Sequence, residues 1–219
     1  MRRSAILGLT LLAVGCKQHP EADPAKATAL ATKMIKDVPV PGYTDCTGEQ
    51  VIGGATMTYP TAMKIAGKQV GPEHEMADWI NPVELDSPAA RTLADAAAGD
   101  TAKRRATAEL LAAPFYLVYV VDHVNAPIAL GIKELKLGSA SGRALRYTKN
   151  GTLQCVRVFV WANDEAKNQW AMDASDKALI DPAVAQAMKD DLRAQMLKRV
   201  AALGAPPPRG KITPKPLKP

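Results

Sequence analysis

Apolar positions change their period twice along this chain. From Pro24 to about Asp37 they recur at helical spacing, with Leu30, Met34 and Ile35 on one face. Asp23-Pro24 supplies a cap followed by proline at the first helical position, where its missing N–H is not needed. Val38-Pro39-Val40-Pro41-Gly42 ends that helix, because proline removes a backbone donor and restricts the residue before it. Signals over Tyr43 to Gly71 are weaker. They predict a short extended segment near Gln50 to Tyr59 and a helical turn over Thr61 to Ala66, with another turn over Glu73 to Ile80. Ser87-Pro88 repeats the start signal and predicts a helix over Pro88 to Ala98, with Leu93 and small alanines inward. A further helix over Thr101 to Ala113 packs through Leu110 and Leu111 and leaves Lys103, Arg104 and Arg105 solvated.

At Pro114 the period shortens to that of strands. Phe115 to Val121 is aromatic and β-branched and reads as the first strand. The second lies within Ile128 to Leu137, centred on Ile132 to Leu137; the third is Arg143 to Thr148 and the fourth Thr152 to Trp161. Asn150-Gly151 marks a tight hairpin between the last two. Gly138-Ser139-Ala140-Ser141-Gly142 reads as a hairpin loop. In the fourth strand Val156, Val158 and Val160 predict a buried face. Cys155, Arg157, Phe159 and Trp161 form the other face, which meets a helix or lines a groove.

These strands are too close together for crossover helices, which argues for an antiparallel sheet. Helical composition then returns. A short helix is predicted over Asp164 to Met172, and a long one over Pro182 to Leu203. The latter carries Val184, Met188, Leu192, Met196 and Val200 as an apolar stripe, and Gly204 stops it. The expected class is α+β: an antiparallel sheet of about four strands, packed with N-terminal helices and a long C-terminal helix. Residues 24–204 are expected as one domain. A tether, 16–23, precedes it and a proline-rich basic tail, 205–219, follows it.

The first residues have a different logic. Met1-Arg2-Arg3 is positive, Ala5 to Val14 is apolar, and small residues close the run in Leu12-Ala13-Val14-Gly15-Cys16. That order describes a bacterial export signal. With the cysteine directly after the small residue, it resembles the lipobox of bacterial lipoproteins, although Ala13 stands where leucine is typical. The resemblance implies cleavage after residue 15, lipidation of Cys16, and membrane lipid as a partner on the periplasmic side. Lys17, rather than aspartate, resembles the outer-membrane class. Two other readings stay open: a secretory signal cut at another small residue, and an uncleaved anchor. The anchor fits less well, since the apolar run falls far short of the ~20 residues that cross a bilayer.

Composition adds compartment and charge. Only 5% of residues are aromatic, so the core is expected to rest on Ala, Leu, Val and Met. The formal charge is +6, and loss of Arg2 and Arg3 with the signal lowers it by two, to about +4. A mild positive charge suits anionic lipid, wall polymer or an envelope protein, and export excludes nucleic acid as the natural partner. With Cys16 committed, Cys46 and Cys155 remain, and an oxidising compartment favours a bridge between them over two separate buried thiols. No CxxC pair is present for redox work. The cysteines and three histidines make no recognisable zinc set.

Candidate chemistry is sparse. Glu73-His74-Glu75 with Asp78 is not HExxH and reads as surface or structure. Asp122-His123 stands near Ser139 and Ser141, yet a nucleophile elbow is absent and a regular strand sends Asp122 and His123 to opposite sides. Gly53-Gly54 lacks the lysine and spacing of a phosphate loop. Core packing is the default for Trp79, Trp161 and Trp170. Arg143, Arg146 and Arg157 suggest a cationic surface without establishing convergence, and Arg157, Phe159 and Trp161 form the candidate binding surface. No catalytic residue, cofactor or metal is indicated. The reading is a noncatalytic, lipid-anchored envelope lipoprotein acting as an accessory or partner-binding component. The alternatives are a small periplasmic hydrolase and a solute- or polymer-binding module. Oligomeric state is left open.

Overall fold

The computed structural model describes residues 20–38, 44–46, 53–70, 80, 83–130, 134–164 and 182–203. Four helices, α1 (Pro24–Ile35), α2 (Tyr59–Ile65), α3 (Pro88–Ala94) and α4 (Asp100–Ala112), precede most of the strands. The strands are β1 (Ala55–Thr58), β2 (Phe115–Asn125), β3 (Ile128–Leu130), β4 (Glu134–Lys136), β5 (Ser139–Thr148) and β6 (Leu153–Ala162), and α5 (Pro182–Ala202) follows. The main sheet has the order β1-β2-β5-β6. This is the expected α+β class, with a four-stranded sheet and a long C-terminal helix.

The proline starts work as physical chemistry requires. The Asp23 carboxylate accepts from the Ala25 N–H at 3.0 Å, and Pro24 occupies the first turn. Ser87 Oγ accepts from the Ala90 N–H at 3.4 Å ahead of Pro88. Helix α1 buries Ala27, Leu30, Ala31, Met34 and Ile35, the three-and-four spacing of one helical stripe. Tyr147 Oη donates to Met34 O at 2.9 Å, which ties α1 to the sheet. Burial of that phenol holds its pKa well above the ordinary value.

One sheet face, with Tyr116, Val118, Val120, Leu145, Tyr147 and Val156, packs against α1 to α4. The other, with Leu117, Tyr119, Ala144, Cys155, Phe159 and Trp161, packs against Leu192, Met196 and Val200 of α5. Tyr119 is buried enough here that its hydroxyl is pushed up to about 12.

Sheet membership differs from expectation in two places. The segment expected to hold the second main strand, Ile128 to Leu137, supplies β3 and β4, which pair antiparallel with each other in a separate two-stranded sheet. Its place is taken by β1, parallel to β2, with Ala55 opposite Tyr116. Parallel neighbours need a long connection, and α2, α3 and α4 provide it. The sheet is therefore mixed at one edge and antiparallel across β2, β5 and β6. The second difference concerns the small residues read as a loop: Ser139 to Gly142 lie inside β5. Gly142 permits a close approach there, since a Cβ would lie 2.5 Å from Val120 O and 3.0 Å from the Phe159 ring. The turn from β5 to β6 is where expected, with Gly151 at φ +70 and its N–H bonded to Thr148 O.

Candidate functional site at the outer edge of the last strand

Strand β6 is the last in the sheet order, so one side of its backbone has no named strand beside it. The near half of that side is closed by the segment Thr44 to Cys46. Cys46 N–H donates to Val156 O at 3.1 Å and Val156 N–H to Thr44 O at 3.0 Å, a parallel bridge in which Asp45 stands opposite Val156. The Cys46–Cys155 disulfide, with Cα atoms 5.1 Å apart, staples the segment down. Arg157 adds a hydrogen bond to Cys46 O at 3.0 Å and a longer contact to the Asp45 carboxylate at 3.4 Å. Asp45 is largely exposed, so solvent screens that ion pair and it contributes little.

One face of β6 departs from the expectation at its far end, while the other meets a helix, the first of the two expected arrangements. Val156 is fully buried, but Val158 is 45% exposed and Val160 62%. Val156 belongs to the core cluster shared with the helices on that face, whereas Val158, opposite Arg143, and Val160 lie outside it. Phe159 and Trp161, expected on a binding surface, are instead 5% and 2% exposed beneath α5. Their rings stack with centroids 5.2 Å apart. A helix that buries both rings removes them from any ligand, so the surface Arg157-Phe159-Trp161 is corrected to a piece of core with one arginine at its margin.

Asn163 fixes α5 to the end of β6. Its carbonyl accepts from Gly138 N–H at 2.7 Å, and its amide donates to Met188 O at 2.8 Å and to Asp191 at 3.0 Å. Asp191 also accepts from Asp164 N–H at 2.9 Å. A second buried polar cluster lies on the other side of the sheet. Asp86 accepts from the Thr58 N–H at 2.5 Å and from Thr61 Oγ1 at 2.7 Å, which ties the start of α2 to the segment before α3. Burial raises the Asp86 pKa and these hydrogen bonds only partly oppose it.

The proposed charge and catalytic groups do not converge. Arg143 grips Asp122 with two of its guanidinium nitrogens, Nη2 at 2.6 and Nε at 2.8 Å, and donates from the third, Nη1, to Val38 O at 2.8 Å. Arg146 lies on the opposite face, over the Phe115 ring and bonded to Gln154. A bulge between Val121 and His123 sets His123 opposite Ser141, an offset the regular alternation did not predict. Even so, the Asp122 carboxylate is held by arginine on both oxygens and is not the partner a general-base histidine requires. Among the described residues no group of three or more His, Cys, Asp or Glu is placed to hold a metal.

The partner expected through Cys16 is also corrected. The cysteines among the described residues are Cys46 and Cys155, and both are consumed by the internal disulfide, so neither offers a thiol to lipid. Cys16 lies outside the described residues, as do residues 1–19, His74, Trp79, Trp170 and the tail 205–219. Membrane lipid is not carried forward as a partner. Among the described residues no helix is long and apolar enough to cross a membrane. No family model, curated protein or solved structure matches the chain.

Proposed function

We propose that this chain is an exported, noncatalytic component of a bacterial cell envelope, working as an accessory or binding module in an oxidising compartment. The disulfide carries this reading. It joins residues 109 apart in sequence and clamps the Thr44 to Cys46 segment to the sheet, a bond suited to a periplasm and not to a reducing cytosol. The positively charged, apolar N-terminal pattern supports export independently. The commitment of Asp122 to Arg143 weighs against the hydrolase reading. The burial of Phe159 and Trp161 weighs against a polymer-binding aromatic patch.

Expression of the full chain in a Gram-negative host, followed by fractionation and thiol trapping, tests the proposal. The expected result is recovery outside the cytosol, with Cys46 and Cys155 closed to alkylation until a reductant is added. Cytosolic recovery with both thiols open would overturn it.

A further inference from the structure

We propose that the open half of the β6 edge is a self-association surface, on which a second copy of this chain pairs its own β6 antiparallel about a two-fold axis at Val160. The proposal does not depend on where the protein works. It starts from the alternation of an antiparallel ladder. Val156 points its N–H and C=O away from β5, because both are bonded to Thr44 and Cys46. Residues two, four and six further on share that direction, so Val158, Val160 and Ala162 also present their main-chain groups outward. Asn163 N–H bonds inward to Gly138 O, which fits the same alternation.

Among the described residues, that stretch lacks the usual protection of an edge. It has no proline, no lysine and no bulge, and its side chains on the face away from α5, Val158, Val160 and Ala162, are exposed. The same edge already accepts an extended segment at Val156, so its main chain has pairing geometry. The segment also sets a limit, because an added strand cannot run back past Val158 without displacing Thr44 to Cys46.

The short strip that remains is self-complementary. With the axis at Val160, Val160 meets the second copy's Val160 and Val158 meets its Ala162, and each outward pair exchanges both N–H···O bonds. Charge favours the same occupant. The chain is basic, at +6, yet the strip is uncharged, and Arg143, which stands opposite Val158, is paired with Asp122 at 2.6 Å. Two copies therefore meet here without like-charge repulsion, and a partner of opposite charge gains nothing from the strip. The contact is small, which places the dimer among weak associations.

Sedimentation velocity on the oxidised full chain, from about 1 μM to about 1 mM, reads the association directly. The variants are Val160→Lys and Val158→Lys, with Ile128→Lys as control, since Ile128 is 42% exposed and lies outside this edge. All three positions are on the surface, and thermal melts confirm that each variant is folded. The wild type should shift from monomer to dimer with concentration. Either β6 lysine should weaken the dimer roughly tenfold or more, while Ile128→Lys leaves it unchanged. A wild type that stays monomeric throughout overturns the proposal, as does a dimer indifferent to the β6 lysines or equally weakened by Ile128→Lys. A monomer that binds an added apolar strand peptide at β6 assigns the edge to another protein and overturns self-pairing too.

Discussion

The same strand has two contrasting faces. On one, Cys155, Phe159 and Trp161 are buried from end to end beneath α5 and the disulfide-held segment. On the other, Val156 is buried in the core cluster that the four helices share, but Val158 and Val160 lie outside that cluster and emerge into solvent. Both faces are apolar in composition. What separates them is the reach of the layer above, a single 21-residue helix against several short ones. Alternation tells which side chains share a face. It does not tell how far a neighbouring layer extends over it.

Loss of the brace should have the largest effect. Replacing both Cys46 and Cys155 by serine opens a loop of 109 residues and should lower stability by about 4 kcal/mol, read by denaturant unfolding without reductant. Leu192→Ala, fully buried under the covered face, should lower it by about 3 kcal/mol. Val160→Ala, on the open part of the other face, should stay within about 0.5 kcal/mol. If the two alanine variants were equally destabilised, the contrast between the faces would be wrong.

Tyr147→Phe removes the hydrogen bond to Met34 O that ties α1 to the helix-covered face, and about 1 kcal/mol of stability should go with it. The smallest effect is one of pH. Asp86 has a folded pKa raised above 3.8, so the folded state holds this proton more tightly than the unfolded chain does. Its contribution is most favourable at low pH and declines as pH rises from about the unfolded value through the raised folded one. Asp86→Asn should flatten that part of the stability–pH curve, measured by unfolding at a series of acidic pH values. A variant whose curve runs parallel to the wild type would remove Asp86 as the source.

Local chemistry was legible where the signal was local. The proline starts at Pro24, Pro88 and Pro182, the turn at Gly151 and the stripe on the last helix each depend on neighbours a few residues away; each stands as the pattern predicts, except that Val184 is half-buried while Met188, Leu192, Met196 and Val200 are buried. The Cys46–Cys155 bridge was legible by a different route, from the cysteine number and an expected export to an oxidising compartment. The parallel placement of β1 was not, because four residues carry little periodicity and their partner lies beyond three helices. The polar knots at Asp86 and Asn163 were equally hidden. Asp86 sits one residue before a visible helix cap, but nothing in that string says that Thr58 and Thr61 close over it. The bulge at Asp122 escaped notice too, and it carries His123 out of the regular alternation.

Backbone amide exchange along β6 tests the contrast most directly. In dilute, oxidised protein the Val156 amide, bonded to Thr44 O, should exchange slowly, whereas those of Val158 and Val160 should exchange at nearly unprotected rates. Raising the concentration should then slow Val158 and Val160 selectively. Protection of all three amides to the same degree at low concentration would contradict an edge that is closed at one end and open at the other.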